Sequence, residues 1–418
     1  MSVYRRHARV LVASLVGTAV EFYDFYIYAT AAALVFGPLF FPATSPATQL
    51  LASYASFGVA FVARPVGASL FGHFGDRIGR KSTLVASLLL MGGSTLLIAF
   101  LPTYATAGWW APLALCILRF GQGLGLGGEW GGAALLATEN APPGHLARFG
   151  MFPQLGAPVG FLAANGLFLI LGGLLSDADF AAWGWRIPFL LSAVLVGLGL
   201  WIRLKLTETP AFAAALEEGP PPRVPIAELL RGHLRETIGG LFSVVACFAI
   251  FYITTAFALG YGTTTLGYPR THFLGVQLGA ILFLALGIVL SGIASDHSSP
   301  RAVLIGGCIG SVVVGLLMGP LFGSGSLLLI WLFLSLGLLA MGFVYGPLGA
   351  YLSQMFPPRV RYTGASLAFN LGGILGGALA PIVAAALAAR GGLALAGLYI
   401  SAAALLSLAG LLGAPRRR

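Results

Sequence analysis

The chain has 418 residues, 58% of them hydrophobic and only 9% charged, against roughly 25% charged in an average soluble protein. A soluble enzyme of two or three domains is excluded, because the apolar residues come in runs of about twenty, the length that crosses the hydrocarbon core of a bilayer. The formal charge of +10 is scattered in short clusters between those runs and forms no single face, so it reports topology and not a nucleic-acid partner.

Twelve runs are read, at 10–37, 50–72, 83–101, 111–138, 150–175, 186–203, 237–260, 273–294, 302–322, 326–354, 362–389 and 391–413. They are long, continuous and rich in Leu, Ala and Gly, unlike the alternating segments of about ten residues in a membrane β-barrel. The predicted class is an all-α membrane protein with twelve transmembrane helices. Placing both termini and the even-numbered connections on one side puts 18 of the 23 Lys and Arg residues there, from Arg5 to Arg418. Only Arg186, Arg270 and Arg390 fall opposite, and Arg64 and Arg119 lie inside runs. By the positive-inside rule both termini are cytoplasmic. Trp109, Trp110, Trp183 and Trp185 all fall at outer ends, where indole rings favour the headgroup layer.

The first run carries Glu21 and Asp24 and is followed by no small-residue cleavage site, so it reads as a retained helix. The two acids are three residues apart, on one helix face. The second run holds Arg64, whose guanidinium offers bidentate recognition of a substrate carboxylate; gating or an ion pair with an acid would explain it equally. The loop that follows, GHFGDRIGRK at 72–81, places Gly72, Gly75 and Gly79 for a tight turn and Asp76 near a helix N-terminus, with Arg77, Arg80 and Lys81 beside it.

The fourth run reads RFGQGLGLGGEWGG (119–132), with Arg119, Glu129 and glycines at 123, 127 and 131 that let a neighbouring helix approach closely. At about 1.5 Å per residue, Asp24 and Arg119 come to similar depths, near enough to pair, and Glu129 comes nearer the depth of Glu21. A charge at the bilayer centre costs at least about 2.5 kcal/mol, so intramembrane charges are functional candidates. Five are read: Glu21, Asp24, Arg64, Arg119 and Glu129. The alternative is a set of buried ion pairs holding helices together. Cys116, Cys247 and Cys308 lie in apolar runs without ligand spacing and read as packing residues, with no disulfide or metal.

The polar stretch 204–236 divides the runs six and six, giving an N-terminal bundle (1–203), a cytoplasmic linker (204–236) and a C-terminal bundle (237–418). Gly292 and Asp296 follow the eighth run at the same spacing as Gly72 and Asp76 follow the second, which suggests a duplicated six-helix unit. No acidic or basic side chain lies deep in the last six runs. Gln154, Asn165, Tyr252, Gln277, Tyr345 and Asn370 are polar residues within apolar helices. They are candidates, with Arg64, to line a substrate pocket, although each alone also suits an interhelical hydrogen bond.

The loop 72–81 resembles the signature of the major facilitator superfamily. The strings GTAVEFYDFYIY (17–28), ARPVGASLFGHFGDRIGRK (63–81), RFGQGLGLGGEWGGA (119–133) and FPQLGAPVGFLAANG (152–166) together resemble its metabolite:proton symporter branch, whose members carry shikimate, 2-oxoglutarate, citrate, or proline and betaine. The resemblance implies two six-helix bundles, alternating access, and a gate formed by Gly72, Asp76, Arg77, Gly79, Arg80 and Lys81. The second-half copy keeps Asp296, with His297 and Arg301 in place of the full basic set. The resemblance also implies that Asp24 carries the proton and is switched by pairing with Arg119, with Glu21 and Glu129 tuning the site or joining a relay.

The expected activity is proton-driven import of a small organic acid such as shikimate or a di- or tricarboxylate by a monomer in a bacterial inner membrane, with no cofactor and no nucleic acid. An uncoupled facilitator and a proline/betaine-type symporter are the alternatives. A membrane-embedded enzyme would need a nucleophile, base or metal cluster within the helices, and a transporter-like sensor a soluble signalling domain.

Overall fold

The structure is a computed structural model that describes residues 3–42, 46–205 and 225–415. Its long helices are α1 (Val3–Leu34), α2 (Pro46–Ile78), α3 (Arg80–Ile98), α4 (Trp110–Glu139), α5 (Leu146–Leu174), α6 (Arg186–Leu204), α7 (Leu234–Thr264), α8 (Arg270–His297), α9 (Pro300–Phe322) and α10 (Leu327–Met355), followed by α11 (361–390) and α12 (393–413). Ten segments are long and apolar enough to cross a membrane. One of them, Pro358–Gly413, is broken at Gly391 and Gly392 and so supplies two spans; Gly392 takes φ 74°, which favours a residue without Cβ. The remaining span, α4, has 30 residues but is interrupted by Arg119, Glu129 and seven glycines. The twelve match the expected runs. Of the linker, 206–224 lies outside the described residues, and Pro225–Gly232 forms a short helix before α7.

The helices pack in two groups. In the first half α4 lies against α2 and α3, and α1 against α5 and α6; in the second α9 lies against α10 and α12, α8 against α10, and α7 against α11 and α12. The broadest contacts between the halves are α5 on α8 and α2 on α11, with α4 also touching α11. Lipid tails are as apolar as leucine, so helices associate by close packing, and small residues make that possible. The α2–α4 contact shows it: a methyl group at Gly123 would strike the main chain of Ala60, one at Gly127 the Arg64 carbonyl, and one at Gly67 the Leu124 carbonyl. Gly131, the third of the series, faces Ser366 of α11. Large side chains such as Leu174, Val194 and Leu328 project outward, as a lipid-facing surface requires.

Several spans are bent at the level of the seam between the halves, and each bend frees carbonyls that need partners in a dry interior. Pro158 has no N–H for the carbonyl of residue 154, and α5 turns at Leu155, where the Thr18 hydroxyl donates to the Pro153 carbonyl (2.7 Å). A π-turn at Ile253–Phe257 bends α7; Gln277 of α8 donates to the carbonyls of Thr254 (3.1 Å) and Thr255 (2.8 Å). A second π-turn, Ile374–Ala378, bends α11, and Tyr399 donates to the Leu375 carbonyl (2.8 Å).

The end of the molecule that carries residues 72–81 is its basic face. At the opposite face Trp109 and Trp110 stack at 4.2 Å and are exposed, and Trp183 is half exposed. Trp185 departs from the expected headgroup belt. It is fully buried against Phe36, Phe40 and Phe189, because the first turn of α6 turns its indole into the cleft beside the α1–α2 connection.

Candidate functional site

All five charged residues expected within the membrane are buried, and a sixth joins them. Arg203, on the last turn of α6, was counted among the basic residues of the linker side; it is 4% exposed. Its Nη2 lies 3.1 Å from Glu21 Oε1 and also pairs with Glu129, and its Nη1 donates to the Leu84 carbonyl (2.8 Å). One guanidinium thus ties α6 to α1, α3 and α4. Residue 17 of α1 is glycine where a side chain would press on that guanidinium.

Asp24 and Arg119 form no ion pair with each other. Asp24 accepts a hydrogen bond from Ser192 of α6 (2.5 Å), with the Thr95 hydroxyl also near its carboxylate, and its Oδ2 makes no close hydrogen bond among the described residues. Arg119 donates to Gln122 (2.9 Å), which donates in turn to Thr95 (2.7 Å). Its guanidinium lies over the rings of Tyr28 (4.0 Å), Phe25 (4.3 Å) and Phe57 (4.9 Å), contacts worth about 2 kcal/mol or more when desolvated. Its Nε and Nη2 are without hydrogen-bond partners. Both groups therefore keep bonding capacity in reserve, with the Phe25 ring beside the guanidinium.

Arg64 stands on the seam. It is 4% exposed and forms no ion pair; its Nε donates to Asn370 Oδ1 of α11 (2.7 Å), and the Asn370 amide donates to the Gly127 (2.9 Å) and Ser366 (2.8 Å) carbonyls. Four rings surround the guanidinium, Phe25 and Phe61 from the first half and Phe248 and Phe369 from the second, at 5.2 to 5.9 Å. Phe369 stacks flat on Trp130 of α4 at 3.7 Å. Trp130 donates to Gln154 (3.1 Å), and Gln154 donates to the Tyr345 carbonyl (3.2 Å), again across the seam.

The seven candidate pocket residues separate into two levels. Arg64, Asn370, Gln154 and Tyr345 lie in the network just described. Asn165, Tyr252 and Gln277 line a small cavity with Tyr26, Phe161 and Thr255. Asn165 accepts from Thr30 (2.5 Å), and Gln277 is engaged by the π-turn of α7. Tyr252, against Phe25, Phe57, Phe61 and Phe248, stands between the levels. The cavity measures about 10 Å³, room for roughly one water.

The halves touch at both ends. At the basic face Gly72 and Gly75 of α2 let Thr363 and Tyr362 of α11 approach. Gly79 joins α2 to α3 at φ 109°, a conformation that favours glycine. Arg77 bonds His73 (3.1 Å) and Lys81 donates to the Leu204 carbonyl (2.8 Å), while the side chains of Asp76 and Arg80 lie outside the described residues. The second-half acid is fully engaged: Asp296 accepts from the Ala147 (2.8 Å) and Arg148 (3.2 Å) amides at the start of α5 and pairs with Arg148 (3.2 Å). A carboxylate is favoured there by the unpaired amides of the helix N-terminus. Arg361 pairs with Glu139 (3.5 Å) nearby. At the opposite face Arg270 of α8 reaches Asp177 (2.9 Å) over the Phe180 ring, and Tyr54 of α2 donates to the Ala256 carbonyl of α7 (2.9 Å). The conformation is occluded.

The profile of the Major Facilitator Superfamily matches residues 14–381. The chain belongs to the major facilitator superfamily. It is 50% identical over 411 residues to an inner membrane metabolite transport protein of Escherichia coli (strain K12), covering 97% of this chain and 93% of that one. It is 37% identical over 390 residues to a shikimate transporter of the same organism, with 91% and 88% covered. To a proline/betaine transporter of Salmonella typhimurium (strain LT2) it is 30% identical over 386 residues, with 90% and 77% covered. These relatives put this facilitator in the metabolite:proton symporter branch. A xylose transporter of E. coli in a partially occluded inward-open conformation superposes with a TM-score of 0.73 at 15% identity, covering 96% of this chain and 95% of that one, which speaks to the fold. This major facilitator is a transporter, not an enzyme, and a multi-pass protein of the bacterial inner membrane.

Three features of the transporter's interior went unread in the sequence. Arg203 sits at the end of an apolar run, where a basic residue is ordinarily a headgroup anchor, and the packing of α6 on α1 and α3 buries it. Trp130 lies in a glycine string that reads as packing, and its partner Phe369 is far away along the chain. The missing contact between Asp24 and Arg119 reflects Ser192 and the aromatic layer, which no spacing reveals.

Proposed function

We propose that this transporter is a proton-coupled symporter that imports a small organic acid, of the shikimate or di/tricarboxylate kind, by alternating access. The observation that carries the reading is Arg64: a guanidinium buried on the seam, bonded to the opposite half and with no acid at ion-pair distance among the described residues, Glu21 acting on it only from farther away. A buried cation without a counterion is costly, and a substrate carboxylate would supply one while touching both halves. Asn370, Gln154 and Tyr345 would hold the substrate on the Arg64 side, and Asn165, Tyr252 and Gln277 on the cavity side.

Asp24 is the proposed proton carrier. Its Oδ2, which makes no close hydrogen bond, and the free Nη2 of Arg119 support a switch in which the two groups pair in one state and separate, as here, in another; Glu21 and Glu129 tune that site. Residues 1–203 and 237–418 move against each other about the seam, joined by 204–236. Gly72, Asp76, Arg77, Gly79, Arg80, Lys81 and Asp296 hold the basic face shut, and the basic residues there orient it, with both termini, toward the cytoplasm.

One observation favours a second substrate class. The cavity beside the Arg64 layer is walled by Tyr26, Phe161 and Tyr252, rings that suit a quaternary ammonium, so a zwitterion of the betaine type would also place its carboxylate on Arg64.

The test is lumenal acidification of vesicles that contain the protein and a trapped pH dye, challenged in turn with shikimate, 2-oxoglutarate, citrate, proline and betaine. Acidification with an organic acid, absent from empty vesicles, is the expected result. A response to betaine alone selects the second class. Radiolabelled exchange without acidification overturns proton symport.

A further inference from the structure

The Glu21–Arg203–Glu129 cluster lies toward the basic face from Asp24 and is held by its own ion pairs. Two carboxylates share one guanidinium, with exposures of 2%, 0% and 4% for Glu21, Glu129 and Arg203. No second cation lies within ion-pair distance among the described residues. Arg64 of α2 acts on Glu21 from farther away, and Tyr345 of α10 and Tyr362 of α11 are the other titratable groups within electrostatic reach. Asp24, one turn along α1, adds a further acid. With both glutamates ionised the cluster carries a net negative charge in a dry interior, an arrangement that good geometry alone does not stabilise. One proton shared between the two carboxyls makes it neutral.

The cluster is also next to a seal. Tyr362, fully buried at the start of α11, donates its hydroxyl to the carbonyl of Gly128, the residue before Glu129. Its ring fills the space left by Gly75 of α2 and Gly132 of α4. Tyr362 thus seats a side chain of the opposite half on α4 beside Glu129 and within electrostatic reach of Arg203, and separation of the halves at that end withdraws it.

We propose that Glu21, Glu129 and Arg203 form a second proton-holding station on the basic-face side of Asp24, and that Tyr362 is the plug that separates it from water there. The inference rests on the symport reading. When α11 leaves α4, the shared proton passes from a glutamic acid to water at the basic face, and Arg203 retains both carboxylates; once α11 has returned, a proton handed on from Asp24 restores the neutral, closed station. Tyr362 is a positioning residue, acting through the access it denies.

The experiment needs no substrate, so its failure is separate from that of the symport reading, which the acid panel tests on the unaltered protein. Full-length protein is reconstituted with a trapped pH dye, and a potassium gradient with valinomycin imposes a membrane potential. Tyr362→Ala is expected to raise the proton leak several-fold over the unaltered protein, and Tyr362→Phe, which keeps the ring, to stay near the unaltered value. Tyr362→Ala combined with Glu129→Gln and Glu21→Gln is expected to lose the leak. If Tyr362→Ala does not reconstitute, Tyr362→Leu asks the same question with more of the volume kept. A tight Tyr362→Ala or Tyr362→Leu protein overturns the plug, and a leak that survives loss of both glutamates overturns the station.

Discussion

In the first half of the transporter six charged residues, Glu21, Asp24, Arg64, Arg119, Glu129 and Arg203, are buried; among the described residues of the second half none is. The second half instead meets the seam with rings and neutral amides: Phe248, Phe251 and Tyr252 of α7, Gln277 of α8, Tyr345 of α10, and Phe369 and Asn370 of α11. Both halves have six spans and the same loop acid, so the difference lies in what each does with its interior. Buried charge, among the described residues, belongs to the first half. The two interiors meet through packing and hydrogen bonding across the seam, at Arg64–Asn370, Gln154–Tyr345 and Trp130–Phe369.

Substitutions can break or sharpen that contrast. Asp24→Asn removes the proposed carrier while keeping its shape, and is expected to abolish proton-driven accumulation yet spare substrate exchange, both measured with labelled substrate in vesicles. Arg64→Gln is next: losing one partner of a buried charge contact costs about 2–5 kcal/mol, so KM for the acid identified in the panel should rise by roughly 30-fold or more. A packing change in the same half, Gly127→Leu, sets a side chain against the Arg64 main chain; overpacking costs about 1–3 kcal/mol, read as a lower Tm in detergent. In the second half Tyr252→Phe removes one hydroxyl from an aromatic wall, and a hydrogen bond contributes about 1 kcal/mol. KM should shift only a few-fold, with accumulation kept. A Tyr252→Phe protein as impaired as Asp24→Asn would erase the division of labour.

The span count was legible because the bilayer imposes one length on every run, and α4 was legible despite its glycines because Arg119 and Glu129 stand out against them. The close α2–α4 approach followed from glycines at every fourth position. What the sequence concealed was set by tertiary neighbours. Arg203 and Trp185 occupy positions where a basic or indole side chain ordinarily meets headgroups, and both are buried by helices distant along the chain. Gln277 read as a pocket residue, and it also supplies the hydrogen bonds that a π-turn in α7 leaves open. The seven pocket candidates proved to occupy two levels because Tyr252 and its ring neighbours intervene, an arrangement that depends on helix rotation.

The central cavity, at about 10 Å³, gives transport a hydration cost. A metabolite does not fit in the room of roughly one water, so a transport cycle must draw solvent into the seam on one side and expel it before the other side opens. Solutes too large to enter are excluded from that hydrated space and oppose its formation. Osmotic stress is thus a handle on the rate: large polymers outside the vesicle should slow turnover in proportion to the water that the open state takes up, and so count it.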